Sequence, residues 1–279
     1  GNGETRIVAE GYCANVRKDT GSILGIVSDG YVPVQNMELA EFAESLAKEG
    51  DVVKVESAGS IRGGQKVWFL LRAESFSVRG QDRIEPYICI SNGHDGKTAI
   101  HCRPTTVRVV CSNTLHMVIP ESGKEKVRLR GAGISFTHVG DVRQKVEQAR
   151  EALGIYNTAV AETKRVIDVL AARNVNNEEV QRFFLECFAR DFGAIAMDPA
   201  TKQEHRKKDK AMDGFGLFAK RFAKEKDLAG ETAWNAFNAY TGYLQHEHRR
   251  NKNRAWSMLM GTDAERSIAT LETAFQLAV

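Results

Sequence analysis

Glu85-Pro86-Tyr87-Ile88-Cys89-Ile90-Ser91, a turn at Asp95-Gly96, then Thr98-Ala99-Ile100-His101-Cys102-Arg103: this stretch decides the fold class. Two apolar runs separated by Asp-Gly read as a β-hairpin, because glycine adopts the positive φ that a tight turn requires. Immediately upstream, Lys66-Val67-Trp68-Phe69-Leu70-Leu71-Arg72-Ala73 follows a turn at Gly63-Gly64, and Val52-Val53-Lys54-Val55-Glu56 precedes it. Both read as strands. Before them, Leu39, Phe42, Ala43 and Leu46 fall at i, i+3, i+4 and i+7, an amphipathic helix with Asn36 placed as its cap and Gly50 as its stop. Behind the hairpin, Thr105–Ile119 is expected to open a second helix after Pro104, with Val109, Val110, Leu115 and Val118 as its apolar side. The region from about 38 to 119 thus predicts an αβββα core around an antiparallel sheet of three to four strands.

Working outward, Arg6-Ile7-Val8-Ala9 and Ser22-Ile23-Leu24-Gly25-Ile26-Val27 read as two further short strands. From Asp141 onward the apolar period is helical. Helices are expected over 142–173, 176–192, 217–226, 233–260 and 263–277, with Gly261 stopping the fourth. The shift in composition near residue 140 divides the chain into a 1–140 α+β domain and a 141–279 helical C-terminal region. The fold class expected is therefore α+β.

The 279 residues are 42% hydrophobic and 27% charged, enough apolar side chain for a sizeable core. No run approaches about 20 consecutive apolar residues, and no basic-then-apolar leader opens the chain. We expect a cytoplasmic protein. Cys13, Cys89, Cys102, Cys111 and Cys187 are widely spaced and form no CxxC pair, which argues against a zinc ribbon or a disulfide framework. Reduced, buried thiols are the simpler reading. The net charge of +3 conceals a strong local excess. Between Thr201 and Lys226 lie nine Lys and Arg, Lys207 and Lys208 among them, against four acids; Arg249, Arg250, Lys252 and Arg254 form a second cluster. Such clusters suit phosphate-bearing partners, or else a solvated helix face.

Three passages carry a family resemblance: Tyr31-Val32-Pro33-Val34-Gln35-Asn36 with its helix, Ser57-Ala58-Gly59-Ser60-Ile61 through Val67-Trp68, and His94-Asp95-Gly96-Lys97 leading into Thr105-Thr106-Val107-Arg108-Val109-Val110-Cys111-Ser112-Asn113-Thr114-Leu115. With the Trp234-Asn235-Ala236-Phe237-Asn238-Ala239 helix, they resemble a phage- and plasmid-like family known only as a domain of unknown function. One departure is Phe136-Thr137, where that family's pattern has His-Thr. The expected core topology also resembles single-strand annealing proteins of the eukaryotic Rad type and their phage relatives. That resemblance implies rings or filaments in which a basic groove holds single-stranded DNA.

An annealing protein needs cations that follow a backbone without reading sequence, and flat side chains for the bases. Around the hairpin stand Arg62, Lys66, Arg72, Lys97, Arg103 and Arg108. Strand alternation puts Lys66, Trp68, Leu70 and Arg72 on one face and Val67, Phe69 and Leu71 on the other. In the competing reading Trp68 packs inward and the cations pair with Glu56, Glu74 or Glu85. Arg108, with Asn113 and Thr114, either bridges backbone or faces a ligand. Chemistry is less well supplied. His246-x-His248 points its rings apart on a helix, and His94, His101, Cys111 and His116 match no metal spacing. No phosphate loop, dinucleotide fingerprint or nucleophile elbow occurs. The expectation is an ATP-independent single-stranded-DNA-binding and annealing protein of a phage or mobile element, acting in homologous recombination. It is expected to be a homo-oligomer with no cofactor, no metal and no catalysis. The alternative is a protein-interaction factor with an anti-defence or regulatory role.

Overall fold

The computed structural model describes residues 10–49, 52–108, 113–121, 128–131, 133–136, 142–195, 201–248 and 254–279. The protein is α+β, with antiparallel strands in the first half and helices in the second. Strands β1 (Tyr12–Val16) and β2 (Ile23–Ser28) form a hairpin of their own. Helix α1 (Asn36–Glu49) follows. Next come β3 (Val52–Ile61), β4 (Lys66–Ala73), β5 (Phe76–Val78), β6 (Asp82–Gly93) and β7 (Ile100–Arg108). After them stand β8 (Asn113–His116), β9 (Val118–Glu121), β10 (Arg128–Gly131) and β11 (Ile134–Phe136). The main sheet has the order β11-β7-β6-β4-β3, with β5 also paired to β6 and β8 to β7. Strands β9 and β10 pair separately. The expected strand at Arg6-Ile7-Val8-Ala9 lies outside the described residues.

The Asp95-Gly96 turn stands where its sequence puts it. Asp95 Oδ1 accepts from the backbone N–H of Lys97 (3.0 Å) and Thr98 (2.8 Å), and Oδ2 accepts from Thr98 Oγ1 (3.0 Å). Gly96 takes φ +71°, and a Cβ there would meet the Ile26 carbonyl oxygen at 2.9 Å. On β4 the alternation holds except at Phe69: Val67, Leu71 and Ala73 are buried, Lys66, Trp68, Leu70 and Arg72 keep partial access to solvent, and Phe69, expected on the inward face, is only half-buried. Leu39 and Ala43 of α1 are buried, as their spacing requires.

One expected element is corrected. Thr105–Ile119 is not a helix closing an αβββα unit. Strand β7 continues to Arg108, and β8 folds back on it with Thr105 opposite His116 and Arg108 opposite Asn113. The segment is dense in Thr and Val, whose β-branched side chains lose rotamer freedom in a helix and suit a pleated surface.

The C-terminal half holds α2 (Val142–Ala172), continuous through Gly154, and α3 (Asn177–Phe192). Helix α4 (Lys202–Lys224) is far longer than the expected 217–226. After the short α5 (Lys226–Ala229) comes α6 (Ala233–Tyr243), which passes into a π turn at Leu244–His248. Helices α7 (Arg254–Met260) and α8 (Thr262–Ala278) end the chain. The expected helix 233–260 is thus divided. No helix among the described residues is long and apolar enough to cross a membrane.

The chain forms two compact units, and a single cut at 140 does not separate them. The first comprises Gly1–Ala73, Ile88–Arg103 and Gly133–Gly154; the second comprises Glu74–Tyr87, Pro104–Ala132 and Ile155–Val279. The second unit is built round Phe184, whose ring lies 5.2 to 6.1 Å from those of Phe188, Phe215, Phe218, Tyr240 and Tyr243. Every residue of α6 is buried. Its Trp234 stacks on Phe237 and donates Nε1–H to Asp82 Oδ2 at 2.8 Å. Asn235 Nδ2 donates to the carbonyls of Phe222 and Gly230. The Trp-Asn-Ala-Phe-Asn-Ala motif is therefore core.

Candidate nucleic-acid interface

Among the described residues, two cation-bearing surfaces occur, one in each unit. In the first unit, β4 presents Lys66, Trp68 and Arg72, and β7 presents His101 and Arg103. Trp68 stands opposite Gly59 on β3, and its ring occupies the space a Cβ would take there. Two of the cations on this face, Lys66 and Arg72, are already engaged. Lys66 Nζ lies 3.6 Å from Asp95 and Arg72 Nε lies 3.5 Å from Glu56. Burial of Asp95 raises its pKa, but the hydrogen bonds from Lys97 and Thr98 and the charge of Lys66 outweigh burial and hold it below the usual carboxylate range. His101 donates to or accepts from Ser135 Oγ at 2.6 Å. Burial, then the charges of Arg103 and Lys66, press its pKa down to about 4, so the ring is neutral near pH 7. Arg62 is exposed in the turn before β4, in the left-handed region at φ 51°, and Lys97 is exposed beside Gly96.

The second unit carries a groove along α4. Thr201 and Glu204 close the helix start with reciprocal hydrogen bonds, a capping box that satisfies two otherwise unpaired donors. Gln203, Lys207, Lys210, Gly214 and Leu217 recur at alternating steps of four and three, one stripe of the helix. This stripe, with Lys202, Arg206 and Asp213, forms one wall of a cavity of about 860 Å³. The opposite side is aromatic: Phe188 and Phe192 from the end of α3, and Tyr243 from the end of α6. Phe192 has Phe188 at 4.9 Å and the Arg266 guanidinium 5.0 Å from its centroid. Further along α4 a second cavity of about 500 Å³ is bordered by Lys220, Arg221, Lys224 and His246. Leu217 and Glu247 line both cavities.

Charge availability separates the two surfaces. Glu247 accepts from Arg221 Nε at 2.8 Å. By contrast, Lys202, Arg206, Lys207, Lys210, Lys220 and Lys224 have no carboxylate partner among the described residues. A phosphate arriving at these side chains has no carboxylate partner to displace, with Asp213 and Glu247 nevertheless lining the larger cavity, whereas at Lys66 or Arg72 it must compete with Asp95 or Glu56.

The sequence-derived residues therefore divide. Lys66, Trp68, Arg72 and Arg103 come together on the sheet of the first unit. Lys207 lies in the α4 groove, and Lys208 is exposed on α4 but does not line it. Arg108 ends β7 and Arg254 opens α7. Arg249, Arg250 and Lys252 lie outside the described residues. Unforeseen were Lys202, Arg206 and Lys210 as groove residues, and Phe192 and Tyr243 as its aromatic side. Lys210 follows from the stripe, and Lys202 and Arg206 from the row beside it, once α4 is known to begin at 202. The aromatics come from two other helices and have no sequence-local signal.

Nucleophile and metal chemistry find little here. Cys13 is exposed, while Cys89, Cys102 and Cys187 are buried. Burial pushes the thiols of Cys102 and Cys187 up to about 12 and that of Cys89 higher still, so all three are un-ionised near neutrality. Cys111 lies outside the described residues. No three His, Cys, Asp or Glu side chains gather to hold a metal among the described residues.

Fold and groove together define an α+β protein whose helical unit carries an aromatic-sided cationic channel. The chain belongs to the family described as Domain of unknown function (DUF932), whose model matches residues 23–269. No curated protein and no solved structure matches it.

Proposed function

We propose that the protein binds single-stranded DNA along α4 and assists annealing in the recombination of a phage or other mobile element. The protein works in the cytoplasm as a homo-oligomer, without ATP and without catalysing a covalent step. The observation that carries the reading is the juxtaposition of Lys202, Arg206, Lys207 and Lys210 with Phe192 and Tyr243. Cations neutralise the backbone. The half-buried Phe192, with Phe188 and Tyr243, gives the groove an apolar wall against which a sugar or base edge can lie. The αβββα resemblance lends less support, because a strand stands where its closing helix was expected. The reading rests on the groove.

Fluorescence anisotropy with a labelled oligothymidylate tests it. Micromolar or tighter affinity that falls steeply with salt is expected. In Lys207→Glu/Lys210→Glu the slope of log affinity against log salt shrinks by roughly 0.7 for each phosphate that the variant no longer neutralises. An unchanged slope assigns the cluster to a solvated helix face. Absence of binding at low salt ends the reading.

Self-association has its own support. On the β1–β2 hairpin, Tyr12, Val16, Ile23 and Ile26 share one face and are 46% to 64% exposed. A cluster of that kind on a small hairpin suits a second copy of the chain. Mass photometry is expected to show an oligomer that Ile23→Ser/Ile26→Ser reduces to monomer. A wild-type monomer favours the other reading, in which this face takes a different protein.

A further inference from the structure

The first unit holds a cavity of about 470 Å³ built from its own residues. The three passages that carry the family resemblance all contribute to it, and the α4 groove uses none of them. Pro33, Gln35 and Asn36 come from the first, Ser60 and Val67 from the second, and His94 from the third. The β1–β2 hairpin adds Asn15, Arg17, Lys18, Asp19 and Leu24. A cavity of that size suits a small organic molecule better than a lone ion.

His94 is only 6% exposed and is fixed at three points. Its backbone N–H donates to the Gln65 carbonyl (2.7 Å), its own carbonyl accepts from Asn15 Nδ2 (3.1 Å), and its ring Nε2 lies 2.8 Å from Asn36 Oδ1. An amide oxygen only accepts, so Nε2 carries the proton. Burial lowers the pKa of the ring more than the charge of Asp95 raises it, so the imidazole is neutral near pH 7. The neutral ring therefore has a bare lone pair on Nδ1. No group among the described residues donates to it. A buried imidazole on a cavity wall with an unused acceptor suits a ligand that brings an N–H or O–H.

The remaining lining narrows the choice. Leu24 and Val67 are buried and apolar. Arg17 and Asp19 neutralise each other, with Nε donating to Oδ1 at 2.7 Å and Nη2 to Oδ2 at 2.9 Å. Lys18 is exposed and has no carboxylate partner among the described residues, so the unspent positive charge of the cavity is at its solvent side. A buried acceptor, an apolar lining and an outer cation match the amino group, the flat ring and the phosphate of one molecule. We propose that this cavity binds a nucleoside monophosphate, with an exocyclic amino group of the base donating to His94 Nδ1 and the phosphate paired with Lys18. The site belongs to the first unit and does not depend on the single-strand reading of α4.

Isothermal titration calorimetry of the full chain with adenosine 5′-monophosphate, adenosine and inorganic phosphate tests it. The nucleotide should bind about tenfold more tightly than adenosine, the margin of one charge-assisted contact, and phosphate alone should bind most weakly. Lys18→Glu should remove that margin and leave adenosine unchanged. His94→Phe should weaken nucleotide and nucleoside alike, with a circular dichroism melt to check that it folds. Lys18 is exposed, so its variant tests the site even where the His94 variant does not fold. Lys207→Glu/Lys210→Glu should bind the nucleotide as the wild type does. A wild type that binds no nucleotide at roughly millimolar concentration overturns the proposal. So does phosphate that binds as tightly as the nucleotide, or an unchanged nucleotide affinity in Lys18→Glu or in folded His94→Phe. Loss of the nucleotide only in the α4 variant transfers it to that groove, which overturns this site and leaves the single-strand reading standing.

Discussion

Trp234 and Asp82 are each about 99% buried, and the Asp82 side chain gives the indole N–H its acceptor. At that depth the indole N–H is out of reach of bulk water, and the carboxylate holds it at 2.8 Å. Asp82→Ala strands the N–H and is expected to destabilise the protein by about 1–3 kcal/mol. Urea unfolding of the two proteins measures this, and an unchanged midpoint would mean that the bond contributes nothing net. His101 makes a second prediction. Its pKa is about 4 in the fold against an ordinary 6.5. Between those values the unfolded chain binds a proton that the folded chain refuses. The stability contribution is therefore complete above about pH 6.5 and lost as pH falls toward 4. His94 has its pKa lowered by burial and adds in the same sense. Melting temperature should rise from pH 4.5 to 7, and His101→Gln should flatten part of that rise. If the two curves run parallel, the ring does not titrate as its surroundings dictate.

At the scale of the element, α4 shows what was legible and what was not. Its second half announces itself through Leu217, Phe218, Arg221 and Phe222. Its first half is nearly all polar, so no apolar period marks it, and the expected helix accordingly begins only at 217. The available signal was the capping pattern at Thr201 and Glu204, which depends on two side chains rather than on a period. Conversely, the Thr105–Ile119 segment has apolar residues that can be fitted to a helical period. Its β-branched density was the better guide, and β7 and β8 follow it. The two glycines of α4 give this scale its prediction: a Cβ at Gly214 would lie 2.8 Å from Tyr243 Oη, and one at Gly216 would meet nothing within 4 Å. Gly214→Ala should overpack the contact with Tyr243 and cost about 1–3 kcal/mol. Gly216→Ala should stabilise the helix by roughly 0.5–1 kcal/mol. Opposite shifts in thermal melts confirm the assignment of space to one and not the other. Equal shifts would contradict it.

At the scale of the molecule, the sequence revealed class better than assembly. The Asp95-Gly96 hairpin, the alternation of β4 outside Phe69 and the helical second half all stand. The division at 140 does not, because compactness follows contact in space while composition follows chain order. Asp82, Val78 and Ile84 belong with residues beyond 155, and their strand lettering says nothing of that. The same interleaving limited the site. Lys207 was visible as charge, yet its neighbours Phe192 and Tyr243 are brought to it by α3 and α6, elements that sequence proximity does not join.

The interleaving also governs how the protein is made. Val78 and Ile84 emerge from the ribosome well over a hundred residues before Phe237, Leu271 and Phe275, which share their core cluster. At about 5–20 residues per second these apolar side chains wait on the order of ten seconds or more without their partners. During that interval the nascent chain is a natural client for chaperones. A messenger truncated before α8 would yield a polypeptide in which Val78 and Ile84 never meet Leu271 and Phe275, so the core of the second unit stays open. Quality control in the cell, more than any equilibrium constant, would then decide the fate of such a product.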